Sequence, residues 1–306
     1  MLLTVDGRTF GTVGGGFVEA DAVHAAAEVL SSHKNRILQY TSVPGSVLPD
    51  DIICGGSLEV LVEYLPADPY HRQLIGDFVR LQDRRQTPVM VVPLPNDRGS
   101  GLRRFFISAD GSVHGTPPEG QVSQINDAVR TIKRPGIIST GSNPFLLEPC
   151  PPQSRLFICG AGYIAAETAP LACHLGFRVS VLDDRDNLLD QDVFCGVERI
   201  PVTSYETCLQ AIPVDTATSI LIVTRSHAFD LQVLRQALKS HAGYIGMIGS
   251  RHKWKTLSSV LLHEGFGDDD LKRVCCPVGL KIGADSPEEI AISIAAELIR
   301  FRSELQ

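Results

Sequence analysis

Hydrophobic and polar residues follow two different rhythms along this chain. From residue 155 onward, short apolar runs alternate with helix-period segments. Residues 156–159, 178–182, 219–223 and 244–248 read as buried strands, and 163–175, 230–240 and 253–263 read as helices. Repeated β-α units of this kind build a parallel sheet covered on both faces. A last helix opens at Ser286-Pro287-Glu288-Glu289, with Ser at the cap, Pro at the first position and Glu three residues on. Ile290, Ile294 and Leu298 then line one face of it.

The first half is less regular. Helical patterns cover 18–30 and 70–85, and strand patterns cover 58–65 and 88–93. Leu58, Val60 and Val62 share one face of their strand. A faint repeat is visible. Asp6-Gly7-Arg8-Thr9-Phe10-Gly11-Thr12 returns as Asp110-Gly111-Ser112-Val113-His114-Gly115-Thr116, each copy reading as a β-hairpin that turns at Asp-Gly. The second copy has a helix and a strand in front of it, whereas the first begins at Met1. A true duplication implies that the leading elements of the first copy are missing from the chain as written. Pro135, Pro144, Pro149, Pro151 and Pro152, with Gly136 and Gly141 between them, interrupt both rhythms. The expected organisation is therefore a smaller α+β domain over 1–133, a Pro-rich linker over 134–153, and a Rossmann-type doubly wound parallel sheet over 154–306. The overall class is α/β.

Length and composition narrow the function. The 306 residues, 43% of them hydrophobic, suffice for two cores. Asp and Glu outnumber Lys and Arg by 35 to 28, the formal charge is −7, and no basic block is present, which argues against a nucleic-acid partner. No apolar run reaches the roughly 18 residues of a membrane span. The first seven residues lack the basic start and apolar core of a signal peptide. A cytoplasmic protein is expected, with its eight cysteines mostly reduced. No C-x-x-C pair occurs, so a structural zinc site is not expected. The adjacent Cys275 and Cys276 are poorly disposed to bridge or to chelate one metal.

Several stretches carry candidate chemistry. Cys159-Gly160-Ala161-Gly162-Tyr163-Ile164-Ala165 fits G-x-G-x-x-A between a strand and a helix. Gly160 and Gly162 would let backbone approach a pyrophosphate, Ala165 would allow close helix packing, and the helix N-terminus would attract the charge. A second strand ends at Asp183, 21 residues after Gly162, where a ribose-binding acid is expected, although Arg185 lies two residues on. Thr224-Arg225-Ser226-His227 follows another strand, so His227 is an acid-base or ligand candidate, or a plain loop histidine. At Gly246-Met247-Ile248-Gly249-Ser250-Arg251, Gly249 would bring backbone to a ligand and Ser250 or Arg251 would meet an anion, or the segment is a tight turn with a surface arginine. Gly14-Gly15-Gly16 with Glu19 is either a ligand-binding turn or a flexible one. Cys54-Gly55-Gly56 presents either an accessible thiol able to ligate a soft metal or a buried structural cysteine.

In order along the chain, several of these stretches resemble the xanthine dehydrogenase accessory factor family, XdhC/CoxI. The matching pieces are residues 11–16 with Glu19, then 54–56, 160–162, 227–230, 246–253 and 286–291. Family members usually begin some tens of residues earlier. Tyr163 departs from the family, which often has His after the Gly-x-Gly. The resemblance implies an accessory protein more than a metabolic enzyme. Such a protein binds molybdenum cofactor, as molybdopterin or its dinucleotide form. It holds the cofactor while a cysteine desulfurase supplies the terminal sulfur, and passes it to a molybdenum hydroxylase apoenzyme such as xanthine dehydrogenase. A homodimer is expected. Carried onto this sequence, the cofactor-binding set is Gly14, Gly15, Gly16, Glu19, Cys54, Gly55, Gly56, Gly160, Gly162, Ala165, Asp183, His227, Gly249, Ser250 and Arg251, with Cys54 nearest molybdenum. The alternative is an NAD(P)-dependent oxidoreductase, for which His227, Tyr163 and Lys253 are candidate proton donors, although no Tyr-x-x-x-Lys pair occurs. A third reading is an interaction module built on a ligand-free Rossmann fold.

Overall fold

The computed structural model describes residues 1–41, 57–95, 103–141 and 143–305, and the chain divides into two compact units, Met1–Pro152 and Gln153–Gln306. The first unit runs β1 (Leu2–Leu3), β2 (Thr9–Phe10), α1 (Gly16–Ser32), β3 (Arg36–Thr41), β4 (Ser57–Val62), α2 (Pro69–Asp83), β5 (Val89–Pro93), β6 (Phe105–Ile107), β7 (Val113–His114), α3 (Val122–Val129), β8 (Gly136–Thr140) and β9 (Asn143–Pro149). β1 pairs with β2 and β3 with β4, and the other strands form an antiparallel sheet in the order β7-β6-β5-β9-β8. Successive strand residues point to opposite faces. Phe105 and Ile107 accordingly pack with Ile125 of α3, while Phe106 between them packs with Leu74 and Leu81 of α2.

The repeat read from Asp-Gly extends to whole elements. Hairpin, helix and strand pair occur as β1-β2-α1-β3-β4 and again as β6-β7-α3-β8-β9. The two turns share their hydrogen bonds. Thr4 N–H donates to the Arg8 carbonyl at 2.9 Å and Gly7 N–H to the Thr4 carbonyl at 2.9 Å; Ser108 N–H donates to the Ser112 carbonyl at 3.0 Å and Gly111 N–H to the Ser108 carbonyl at 2.9 Å. Each first residue also gives its hydroxyl to the turn aspartate, Asp6 or Asp110. Gly7 and Gly111 have φ of 82° and 85°, the left-handed conformation that favours glycine.

The stretch expected to be a linker is mostly folded: β8 and β9 occupy it and belong to the five-stranded sheet. The prolines fit because Pro144 and Pro149 lie near the ends of β9, and Pro144 needs no N–H of its own to accept from Leu94 at 2.9 Å.

The second unit runs β10 (Arg155–Cys159), α4 (Tyr163–His174), β11 (Arg178–Asp183), α5 (Asp186–Leu189), a 3-10 turn at Asp192–Phe194, β12 (Glu198–Pro201), β13 (Thr218–Ile222), α6 (His227–Lys239), β14 (Tyr244–Met247), α7 (Arg251–His263), α8 (Asp268–Lys272), β15 (Val274–Cys275) and α9 (Pro287–Leu305). Its six strands are all parallel, in the order β12-β11-β10-β13-β14-β15. Two apolar layers cover the sheet. α4 and α9 close one face, with Ala165, Ala169 and Ala172 against Ile294 and Leu298; α6 and α7 close the other, with Val233, Leu234, Leu257 and Leu261. Cys275 packs with the first layer and Cys276 with the second, so adjacent thiols face opposite ways.

Candidate functional site

Counted from β10, the strand order is 3-2-1-4-5-6, the order of dinucleotide-binding Rossmann units. The chain reverses direction across the sheet between β10 and β13, and ligands of such sheets bind in the crevice beyond the carboxyl ends of the strands at that point. The segments meeting there are Gly160–Gly162 after β10, Asp183–Arg185 after β11, Thr224–His227 after β13 and Ile248–Arg251 after β14.

The two glycines of the first loop do different things. Gly160 has φ 114°, and a Cβ on it would lie 2.5 Å from the Val223 carbonyl oxygen, so only glycine lets β10 and β13 converge here. Gly162 has φ −81°, and a Cβ on it would meet nothing within 4 Å. It caps α4 without offering a side chain to the first-turn N–H groups. The other two long helices that start at this edge are capped: Ser226 accepts from Phe229 N–H at 3.2 Å, and Ser250 from Lys253 N–H at 3.2 Å. Ser250 is thereby committed to α7. Ala165 is fully buried in the layer under α4.

Asp183 is buried and heavily engaged. Its Oδ2 accepts from Ala161 N–H at 2.7 Å and from Arg185 Nη2 at 2.9 Å; its Oδ1 accepts from Arg185 N–H at 3.0 Å and Arg185 Nε at 2.8 Å. The next residue, Asp184, is clamped by both Nη groups of Arg225, whose hydrogen bonds and charge hold its carboxyl below the usual range. Arg225 also lies over the Phe229 ring, 4.6 Å from its centroid. Burial, with the Asp183 and Asp184 charges nearby, pushes the Tyr205 phenol far up, so it remains neutral.

Between β13 and β14 sits a buried ion pair that the sequence did not single out as a pair. Lys253 Nζ lies 2.5 Å from Asp230 Oδ2 and donates to the Ile248 carbonyl at 2.8 Å, while Thr224 Oγ1 donates to Asp230 Oδ1 at 2.7 Å. Gly249 makes room for this: a Cβ on it would lie 2.6 Å from Lys253 Cδ. The space beside Gly249 is filled by the protein's own lysine. His227, Arg251 and Tyr163 are exposed at the ends of their loops, Tyr163 by 87%. Residues 227–230 were legible as part of the family resemblance; the pairing of Asp230 with Lys253 of the neighbouring helix was not.

In the first unit, Gly14, Gly15 and Gly16 have φ of 127°, 77° and 58°, three consecutive left-handed residues. The turn is ordered. Gly14 N–H donates to Thr12 Oγ1 at 3.1 Å and Gly15 N–H to Glu19 Oε2 at 3.3 Å. Thr12 gives its hydroxyl to Glu19, which holds that carboxyl below the usual range. Cys54, Gly55 and Gly56 lie outside the described residues. Among the described residues no group of three or more His, Cys, Asp or Glu is placed to hold a metal ion, and no helix is long and apolar enough to cross a membrane.

The strand order, the glycine turn and the uncapped α4 define a Rossmann-type unit joined to an α+β unit. Residues 156–298 match the XdhC Rossmann domain, and residues 1–41 match the XdhC and CoxI family. The chain belongs to the XdhC/CoxI family. It is 26% identical over 313 aligned positions to a Bacillus subtilis protein named as a probable xanthine dehydrogenase subunit, covering 99% of this chain and 87% of that one. It is 27% identical over 309 positions to the Escherichia coli molybdenum cofactor insertion chaperone PaoD, covering 99% and 77%. A crystal structure described as a xanthine dehydrogenase from Bacillus halodurans superposes with a TM-score of 0.79 at 26% identity, over 99% of this chain and 85% of that one.

Proposed function

We propose that this chain is a maturation factor that binds molybdenum cofactor and delivers it to a molybdenum hydroxylase such as xanthine dehydrogenase. The reading is supported by similarity over nearly the whole chain to a relative named as a molybdenum cofactor insertion chaperone. The structural observation that carries it is the open space over Gly162 in front of an α4 with no side-chain cap. Uncapped N–H groups at a helix start, with the positive end of the helix dipole, suit a phosphate. Molybdenum cofactor, as molybdopterin or its dinucleotide form, carries such a group. In this proposal the Gly160–Gly162 loop and the first turn of α4 hold the phosphate, and His227 and Arg251 contribute positive or hydrogen-bonding groups along the same edge. Gly14–Gly16, Glu19 and Cys54 of the first unit are proposed as further cofactor-binding residues, with Cys54 a molybdenum ligand. The protein works as a homodimer, receives the sulfur through a cysteine desulfurase, and releases the cofactor to the apoenzyme.

The test is to purify the chain from cells that make molybdenum cofactor and from cells that cannot. Molybdenum and oxidised-pterin fluorescence are expected in the first preparation and absent from the second. The loaded protein is expected to activate a cofactor-free hydroxylase. Absence of both signals, with nicotinamide turnover in their place, would overturn the proposal in favour of an NAD(P)-dependent oxidoreductase.

A further inference from the structure

The corner beyond β11 is where a Rossmann unit ordinarily reads the ribose of its ligand, through an acid that accepts from the two ribose hydroxyls. Asp183 stands at that position and is not available for the task. An ionised carboxylate offers about four acceptor sites. In Asp183 four protein donors take them: Ala161 N–H, Arg185 N–H, Arg185 Nε and Arg185 Nη2, at 2.7, 3.0, 2.8 and 2.9 Å. Its side chain is fully buried, so it cannot swing outward to gain another partner. Asp184 offers no substitute, because Arg225 grips both of its oxygens.

What the corner presents instead is Arg185. The fork onto Asp183 uses Nε and Nη2 and leaves Nη1 without a partner among the described residues, and the side chain is 34% exposed. A guanidinium held in place on one edge is pre-organised to bind an anion on the other, and it suits phosphate geometry better than a lysine would. Asp183 and Asp184 are each already paired with an arginine, so their charges are compensated toward an arriving anion. The same Asp183 carboxylate also holds the N–H of Ala161, between the two glycines, so the arginine and the phosphate-binding loop are fixed by one group.

We propose that Arg185, positioned by Asp183, forms a subsite for a phosphate monoester, and that this Rossmann unit selects its ligand by that phosphate and not by a ribose diol. The inference rests on the carboxyl edge being the ligand site, as in the functional reading above, but not on molybdenum being the cargo.

The probes are NADP+ against NAD+, and adenosine 2′,5′-bisphosphate against AMP, titrated calorimetrically into the full-length protein. The 2′-phosphorylated member of each pair is expected to bind at least tenfold more tightly. Arg185→Gln is expected to remove that preference. Arg185→Lys, which keeps the charge without the fork, is expected to fall between. Circular dichroism of both variants checks that they fold, and the lysine variant carries the test if the glutamine variant does not. Should molybdenum-loaded protein release its pterin on addition of adenosine 2′,5′-bisphosphate, the natural phosphate is the pterin's. Should the two bind together, it is a nucleotide's. Equal or tighter binding of the unphosphorylated probes, a preference that survives in folded Arg185→Gln, or no binding of any phosphomonoester at millimolar concentration would each overturn the subsite. Any of these could occur while molybdenum still co-purified, so the two readings fail separately.

Discussion

Gly160 lies against the backbone of Val223 so closely that a Cβ on it would stand 2.5 Å from the Val223 carbonyl oxygen. Two residues on, Gly162 faces open space. The two glycines of one motif therefore differ: strand packing requires the first, and it leaves the second free. Gly160→Ala is expected to cost at least about 2 kcal/mol, from a left-handed φ and a backbone clash together, read as a lowered midpoint in urea unfolding. Gly162→Val is expected to keep the unfolding midpoint and to weaken phosphate-ligand binding about tenfold, some 1.4 kcal/mol. A Gly162→Val protein with unchanged affinity would remove the loop from the site.

The Lys253–Asp230 pair makes a stability prediction of another kind. Both partners are nearly excluded from water, with side-chain exposures of 12% and 1%. Removing one charge leaves the other buried and uncompensated, which typically costs about 3–5 kcal/mol. Asp230→Ala is expected to lose that much in chemical denaturation. Removing both charges, as in Asp230→Asn with Lys253→Met, is expected to be much milder than the sum of the two single changes. Additive losses in the double-mutant cycle would mean that the pair is not coupled.

The Rossmann unit was legible because its strands are buried on both faces and so appear as plain apolar runs. Ser286-Pro287-Glu288-Glu289 announced α9 correctly: Ser286 Oγ accepts from Glu289 N–H at 3.3 Å and Glu289 Oε2 from Ser286 N–H at 3.2 Å. β12 escaped because Glu198, Arg199 and Pro201 are exposed and leave no apolar run. β15 escaped because it is two residues long. The role of Asp183 was not readable either, since its burial and the wrap-back of Arg185 depend on three-dimensional contacts. In the first half the prolines misled. They mark the ends of strands there, and strand ends tolerate a missing N–H where strand centres do not.

Acid pH is expected to cost stability at the β11 corner. Arg225 holds the Asp184 carboxyl below its ordinary value of 3.8. A carboxyl lowered in the folded state stabilises the fold above the unfolded pKa, and that contribution is lost as pH falls through the folded value. The wild-type protein is therefore expected to lose stability below about pH 4, and Asp184→Asn to show a shallower loss over the same interval. Thermal melts of both proteins between pH 6 and pH 2.5 make the comparison. Parallel curves would mean that Asp184 contributes nothing to the acid limb.

The thiol proposed as a molybdenum ligand can be tested without knowing its surroundings. A soft-metal ligand must give up its proton. Cys159 is fully buried, and its hydrogen bond with Cys208 together with burial pushes its thiol up. Burial pushes Cys276 up to about 11, although the nearby Lys253 pulls the other way. Cys275, also half-buried, is shifted upward for the same leading reason. These cysteines suit apolar packing better than metal ligation. Cys54 lies outside the described residues, so its case is chemical: it is followed by two glycines, Gly55 and Gly56, and it falls within the stretches that resemble the XdhC/CoxI family. Cys54→Ser is expected to keep the unfolding midpoint and the affinity for phosphate ligands, yet to lose nearly all molybdenum on purification and nearly all activation of a cofactor-free hydroxylase. Cys276→Ser, prepared alongside, is expected to retain its molybdenum. Equal molybdenum in wild-type and Cys54→Ser protein from the same preparation would take the thiol out of the proposal and leave the phosphate site standing.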